Sequence, residues 1–200
     1  HETLRALGLA TLTEPADWYG ASLALGGADV TLFALTNAYR ALANGGVWSP
    51  THFRIDNVEG DGGEPARVLS AEASFIVSDM LADSTARAPT FGLASPLSTH
   101  SWAAVKTGTS KGMRDNWAIG YTDRYTVGVW VGNFSGAPMW DVSGVTGAAP
   151  IWREIIDHLH ARQPSRAPSA PSGVVQRDVV FAPAVEPARR EGWRTRFFLP

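Results

Sequence analysis

No cysteine occurs in the 200 residues, which excludes a disulfide framework, thiolate catalysis and any cysteine-ligated zinc site. The absence fits either redox compartment and slightly favours an oxidising one, where free thiols are a liability. Long apolar runs are missing too. The longest uncharged stretch, Ala88 to Val105, carries two prolines and His100, so nothing here offers the ~20 mainly apolar residues that span a bilayer. A surplus of positive charge is also lacking. The 17 Lys and Arg against 19 Asp and Glu give a net charge of −2, which leaves no footprint for nucleic acid and no polybasic patch for a membrane. Lysine itself is scarce: Lys106 and Lys111 stand against fifteen arginines. That bias reads as genomic base composition, and it makes each lysine easy to inspect. The first residue is His1 rather than Met, with no signal peptide after it, so the expectation is a piece of something longer.

What is present suffices for a folded domain. Apolar residues make up 44% of the chain, with eight Trp and eight Phe, which rules out disorder throughout. Leu4, Leu7, Leu9 and Leu12 with Gly8 predict a short helix ending near that glycine, and Tyr19–Gly27 reads as loop and turn. The clearest helix carries Leu32, Leu35, Ala38, Tyr39 and Leu42 at three- and four-residue spacing. Thr31 is its expected N-cap, and Asn44-Gly45-Gly46 its stop. Trp48 to Val58 reads as a strand leading into the turn Glu59–Gly63. A second helix is expected from Ser70 through Phe75, Ile76, Met80 and Leu81 to about Ala86.

Three strands follow: Ser101–Thr109, about 115–122, and about 125–132, the last two joined as a hairpin by Thr122-Asp-Arg-Tyr125. Val127, Val129 and Val131 share one face, and the small residues Ala118, Gly120 and Gly128 imply a helix packed closely over this sheet. A helix over 149–161 turns Ile151, Ile155, Ile156 and Leu159 inward. Residues 163–173, rich in Pro, Ser and Ala, form a linker by composition, and 174–200 look like the opening strand of a further β-rich module.

The strongest chemical signal is Lys106-Thr107-Gly108-Thr109-Ser110. A glycine inside a strand marks a place where a ligand or another backbone comes close. Thr107 and Thr109, two apart, share a face where both hydroxyls reach one carboxylate, Lys106 adds positive charge, and a backbone N–H after the glycine can meet a developing oxyanion. Set against this is the plain alternative of a polar strand end with an incidental lysine.

Other constellations carry less. Asn57-Val-Glu-Gly-Asp-Gly62 faintly suggests a calcium loop, but its twelfth position is Val68 where a bidentate Glu is needed, so a hairpin turn is expected. His158 and His160 diverge on a helix and with Arg153 make a solvated face. Asp115 and Asp123 lie beside Arg114 and Arg124, which favours ion pairing or turn formation over acid–base work. Trp102, Trp117 and Trp130 read as packing rather than a sugar platform.

Context raises the Lys106 motif. Trp102–Ser110, Arg114-Asp-Asn-Trp-Ala-Ile-Gly-Tyr-Thr122 and Tyr125–Asn133 resemble the third-motif strand and following hairpin of the penicillin-binding transpeptidases, whose signature runs S-x-x-K, a second serine motif, then K-T-G. Leu23–Gly27, Thr36–Tyr39 and Ala43–Gly46 are similar to the upstream helix of the bifunctional class A members. The Gly173-Val-Val…Pro187-Ala-Arg-Arg190 tail is similar to the extra C-terminal module of the penicillin-binding protein 1C subgroup. The resemblance covers 1–161 well and 174–200 suggestively, and it implies that 1–162 are the C-terminal portion of a transpeptidase domain, an α+β fold with an antiparallel sheet covered by the 31–44 and 149–161 helices.

One departure matters more than the match. Ala103 stands three before Lys106 and Gly108 three before Lys111, so no S-x-x-K exists, and no Ser-x-Asn precedes any asparagine. Both motifs lie upstream in the family's order, so truncation is the expected account. The resemblance then implies roles for half a site. Lys106 supports the electrostatics around the serine motifs. Thr107 and Thr109 bind the carboxylate of a D-alanyl-D-alanine stem peptide or of a β-lactam, with Gly108 giving clearance. The Thr109 N–H supplies one oxyanion donor, the absent serine the other. It implies no metal or organic cofactor, and a parent enzyme that cross-links peptidoglycan through a serine acyl-enzyme. That parent would carry a glycosyltransferase domain and a membrane anchor, and would act outside the cytoplasm on the periplasmic side of the inner membrane. This segment alone is expected to be inactive, and self-association through its cut face is a further expectation. Two readings stay open beside it: a D,D-carboxypeptidase or β-lactamase of the same fold, and a non-catalytic binding domain.

Overall fold

The computed structural model describes residues 1–52, 63–92, 94–179 and 194–199. Helix α1 (Glu2–Ala6) gives way at Leu7, and Gly8 at φ +90° turns the chain where a Cβ would lie 2.8 Å from the Trp48 indole nitrogen. Helix α2 (Ala16–Tyr19) starts from Pro15, and the stretch expected as loop, Tyr19–Gly27, is partly helical, with a 3₁₀ segment over Gly20–Leu25. Single turns are too short to print a 3.6-residue period on a sequence. Helix α3 (Leu32–Ala43) is capped as expected. The Thr31 hydroxyl accepts the Ala34 N–H at 3.1 Å, and Gly45 and Gly46 leave the helix at φ +62° and +91°. A small core of Leu7, Leu9, Leu12 and Tyr19 closes against Ala38 and Ala41 of α3.

Strand β1 is only Val47–Trp48, paired with β2 (Ala66–Arg67). The rest of the expected strand, the turn after it and the calcium-loop alternative fall mainly in 53–62, outside the described residues. The second long helix is two. Helix α4 (Ala71–Ala82) starts at its Ser70 cap, but Asp83 departs from helical geometry at ψ 94° and its carboxylate accepts the Ala86 N–H at 2.9 Å, capping α5 (Ser84–Phe91). A short acidic side chain that bonds the backbone locally competes with helix continuation.

Strands β3 (Ala104–Thr109), β4 (Asp115–Tyr121) and β5 (Thr126–Gly132) form an antiparallel sheet in that order. The register aligns Thr107 with Ala118 and Val129, and Gly108 with Trp117 and Trp130. Alternation therefore puts Val105, Thr107, Thr109, Ala118, Gly120 and the three valines on one face. Lys106, Gly108, Trp117, Ile119, Tyr121 and Gly128 lie on the other.

Small residues do admit helices, but on both faces rather than one. A Cβ on Gly120 would lie 2.6 Å from the Trp152 ring of α6 (Ala149–Leu159), whereas one on Gly128 would collide with Thr36 of α3. The core joins Val105, Ala118 and Val129 to Ala149, Trp152 and Ile156. Ile151 and Ile155, expected inward, are 46% and 37% exposed. At 100° per residue, the stripe through 149, 152 and 156 points away from them.

Helix α4 meets the second face through Ser74 and Ser78, both buried. The Ser78 hydroxyl donates to Ser74 O at 2.7 Å, so the Tyr121 hydroxyl, 2.8 Å away, donates to Ser78. Burial pushes the Tyr121 phenol up to about 12, with a smaller push from Tyr39. A phenol held above its unfolded value of about 10 contributes stability fully below that pH and loses it as pH climbs towards 12. We therefore expect unfolding free energy to fall between about pH 10 and 12. Tyr121→Phe should flatten that slope in urea titrations followed by circular dichroism, and an unchanged slope would remove Tyr121 as its source.

Between β5 and α6 a π-helical turn (Gly144–Ala148) is capped by Ser143, whose side chain and Thr146 bond each other's backbone. After α6 the chain is tied back to the hairpin. Asp123 N–H donates to Ser165 Oγ at 3.3 Å and Arg166 N–H to the Asp123 carboxylate at 3.3 Å. His160 is not on a solvated face: it is buried, with Nε2 2.9 Å from the Thr122 hydroxyl and Nδ1 2.8 Å from Gln163 O. Its position past the last helical residue turns it under the hairpin, while His158 stays exposed. Strands β6 (Val175–Val179) and β7 (Arg194–Phe198) pair antiparallel, and Phe197 stands edge-on to Phe75 of α4 at 5.0 Å. No described helix is long and apolar enough to cross a membrane.

Candidate active site at the open edge of the sheet

Strand β3 has β4 on one side and no strand on the other among the described residues. Lys106 extends its ammonium to the Thr107 carbonyl at 2.7 Å, and the Ser110 N–H bonds Asp115 O at 2.9 Å, so with the observed register the even-numbered residues of β3 make the hydrogen-bonded pairs with β4. The Thr107 peptide groups therefore face the open edge, and the two-residue period sends the Thr109 N–H the same way. A row of backbone donors and acceptors is thus presented to whatever docks beside β3.

The side chains divide between the faces. Thr107 and Thr109 share the α6 face, as their spacing requires, whereas Lys106 emerges on the opposite face and reaches the edge only by folding over its own strand. The π-turn holds Thr109. The Gly144 N–H donates to its hydroxyl oxygen at 3.0 Å, leaving the hydroxyl proton for another acceptor. That approach depends on glycine, since a Cβ at Gly144 would lie 2.5 Å from Gly108 O and 2.7 Å from Trp117 O.

Gly108 differs. It is not at positive φ, and an added Cβ would make ordinary contacts of 3.7 Å with Trp117. Neither backbone conformation nor packing among the described residues requires glycine there. Clearance for a neighbour on the Lys106 face is the remaining physical reason.

Asp115 closes the end of the site. It takes the Ser110 hydroxyl at 2.8 Å and the Trp130 indole N–H at 3.0 Å, instead of the ion pair with Arg114 that adjacency suggested. Asp123 keeps a loose contact with Arg124 at 3.9 Å. Trp117 and Trp130 stack tilted at 6.4 Å between centroids on the Lys106 face. Two partners of the site escaped sequence reasoning. One is Gly144, whose role rests on a contact 35 residues away in the chain. The other is Asn116, paired in register with Thr109 and wholly buried, with neither amide atom bonded to protein. An open cleft of about 600 Å³, lined among others by Pro96, Pro150, Arg153, Asp157 and His158, shares no residue with β3.

The comparisons with known proteins agree on one family. No family profile matches the chain. It is 32% identical to penicillin-binding protein 1C of Escherichia coli over 164 residues, 81% of this chain and 20% of that protein. It is 30% identical to a penicillin-binding protein 1A of Clostridium botulinum over 154 residues, 72% of this chain and 18% of that protein. The chain therefore spans about a fifth of the length of these curated relatives. Among solved structures, penicillin-binding protein 1A of Haemophilus influenzae superposes with a TM-score of 0.67 at 16% identity, covering 99% of this chain and 38% of that one. A penicillin-binding protein of Mycobacterium tuberculosis gives 0.62 at 21% identity over 84% and 51%. The sequence likeness supplies the kinship and the structural likeness the α+β architecture, and on both grounds the chain belongs to the class A penicillin-binding proteins, with the fold of part of their transpeptidase domain.

Proposed function

We propose that this chain is the acyl-donor-binding half of a peptidoglycan D,D-transpeptidase, spanning 1–162, followed by the 163–173 linker and a C-terminal module begun by 174–200. The observation that carries the reading is the open β3 edge, where the Thr109 N–H faces outward and the Thr109 hydroxyl is steadied by Gly144. In the reaction proposed, a serine supplied by the longer protein attacks the penultimate D-alanyl carbonyl of the stem peptide. The Thr109 N–H bonds the developing oxyanion, and the hydroxyls of Thr107 and Thr109 bind the terminal carboxylate. Lys106, whose ammonium already reaches the edge, adds positive charge near that carboxylate. The terminal D-alanine leaves with a proton, and an amine of a second stem peptide then takes the acyl group, regenerating the serine. β-Lactams enter the same edge as mimics of the donor. This chemistry belongs outside the cytoplasm, on a parent that also carries a glycosyltransferase domain and a membrane anchor.

The segment by itself lacks S-x-x-K and Ser-x-Asn and should not turn over. Intact mass spectrometry after incubation with excess penicillin is expected to show no adduct on this chain. A longer chain that includes the upstream serine motifs should take up one acyl group. A stoichiometric adduct on the present chain, lost on Lys106→Ala, would show an acylatable nucleophile within these 200 residues and overturn the half-site reading. A longer chain bearing no S-x-x-K would instead favour a non-catalytic binding domain.

A further inference from the structure

We propose that Asn116 is a positioning residue for Thr109: as the acyl donor docks, its buried amide donates a second hydrogen bond to the Thr109 hydroxyl oxygen, which holds the hydroxyl proton outward on the donor's carboxylate. The inference deepens the reading above and rests on it. Strand β4 presents Asn116, Ala118 and Gly120 to the α6 face, in register with Thr109, Thr107 and Val105 of β3 and with the three valines of β5. Asn116 is therefore the one polar side chain that β4 turns to that face. It is wholly buried, and neither its amide nitrogen nor its amide oxygen has a hydrogen-bond partner among the described residues. An apolar side chain would fill the same space without leaving a buried amide unpaired, which is destabilising. Packing accounts for a side chain at this position but not for an amide.

The neighbours of Asn116 single out one partner. Because the even-numbered residues of β3 hold the ladder, Thr109 and Asn116 form a pair without mutual backbone bonds. In such pairs the Cα atoms approach to about 4.5 Å, and the side chains stand closer than in the bonded pairs. On the β5 side the partner is Val131, which offers nothing polar. Above lies the π-turn, where a Cβ on Gly147 would sit 3.9 Å from the Asn116 Cβ. Backbone donors of that turn are already paired: the Gly144 N–H with Thr109, those of Thr146 and Gly147 with Ser143, and that of Ala149 with Gly144 O. The cross-strand neighbour with an acceptor site still open is the Thr109 hydroxyl.

A threonine hydroxyl oxygen accepts two hydrogen bonds and donates one. Gly144 fills one acceptor site. With the other open, the hydroxyl proton is free to turn inward, towards the Asn116 amide oxygen, or outward, towards the donor. An Asn116 N–H on the second site leaves the proton the outward direction. The short side chain needs only rotation about its own bonds, since strand pairing already sets the two residues side by side. An amide unpaired in the free protein and paired once the donor is in place adds stabilisation that the donor-bound state alone receives.

The test uses the longer chain with its serine, acylated by benzylpenicillin and, in parallel, by benzylpenicillin methyl ester, whose carboxyl carries no charge. Asn116→Leu keeps the volume and removes the amide. Asn116→Ala cannot overpack, since Ala118 and Gly120 already follow it along the same face of β4. Each variant should react with the free acid about tenfold more slowly, roughly the worth of one hydrogen bond, and should lose much less with the ester. Selectivity for acid over ester should fall accordingly. In a Thr109→Val background, which keeps the backbone N–H but has no hydroxyl, neither Asn116 variant should lower that selectivity further. Equal losses with acid and ester would make Asn116 a packing residue and overturn the proposal, and so would unaltered rates. A fall in selectivity that persists without the Thr109 hydroxyl would overturn it too. If Asn116→Leu fails to fold, Asn116→Ala decides alone. In all these cases the functional reading stands, because the parent is acylated and prefers the acid. A parent that takes no acyl group, or takes acid and ester equally, would remove that reading and the proposal with it.

Discussion

Trp152→Ala should remove about 3–5 kcal/mol of stability, the range for emptying a buried aromatic site. Against a typical domain stability of about 5–15 kcal/mol, that is a large share. The residue is fully buried, fills the notch left by Gly120, and donates its indole N–H to Val127 O at 3.1 Å. Alanine would open a cavity between α6 and the sheet and strand that carbonyl without its donor. Gly120→Ala is the companion, since its new methyl would press on the Trp152 ring at 2.6 Å and on the backbone of Ala104. Removing the tryptophan relieves the first collision but not the second, so the double variant should be less destabilised than the sum of the singles. Urea unfolding followed by far-ultraviolet circular dichroism would measure all three. Strict additivity would mean that ring and glycine do not meet.

Gly144→Ala bears on the site as well as on the fold. A methyl at 2.5 Å from Gly108 O and 2.7 Å from Trp117 O meets backbone on two strands, which cannot swing aside as a side chain does. The π-turn must lift from the sheet, and the bond from Gly144 N–H to the Thr109 hydroxyl goes with it. The expected cost is about 1–3 kcal/mol for overpacking and about 1 kcal/mol more for the hydrogen bond. The Thr109 amide signal should move markedly while those of α3 stay in place. Gly147→Ala is the control from the same turn: its methyl would meet the Val142 side chain at 2.8 Å, a contact that a rotamer change can relieve. It should be the milder of the two. If Gly147→Ala proved equal or worse, Gly144 could not be the seat of the turn on β3. In a longer chain with its serine, Gly144→Ala should also slow acylation by penicillin, because the residue carrying the oxyanion donor has lost its support.

Where local rules dominate, the sequence by itself determined the outcome. Thr31 and Ser70 cap α3 and α4 because a hydroxyl one residue before a helix satisfies an orphan N–H wherever the helix lies. The valines of β5 landed on one buried face because alternation needs no knowledge of the partner. The Lys106–Thr109 signature and the hairpin after it placed the candidate site on one strand, and the resemblance they carry agrees with the relatives found.

Only the tertiary structure decided the rest, and in each case the deciding partner is distant in the chain or invisible to periodicity. Residue counting along α6 could not rank Trp152 above Ile151, because the notch it fills is made by a glycine on another strand. Small residues announced close packing without saying that Gly120 serves one helix and Gly128 another, since faces are assigned only once register is set. His160 looked solvated until the hairpin turn supplied Thr122. The support of Thr109 by Gly144 spans 35 residues. Spacing along a strand puts hydroxyls on one face, but which backbone donor reaches them is fixed by how the turns fold over the sheet.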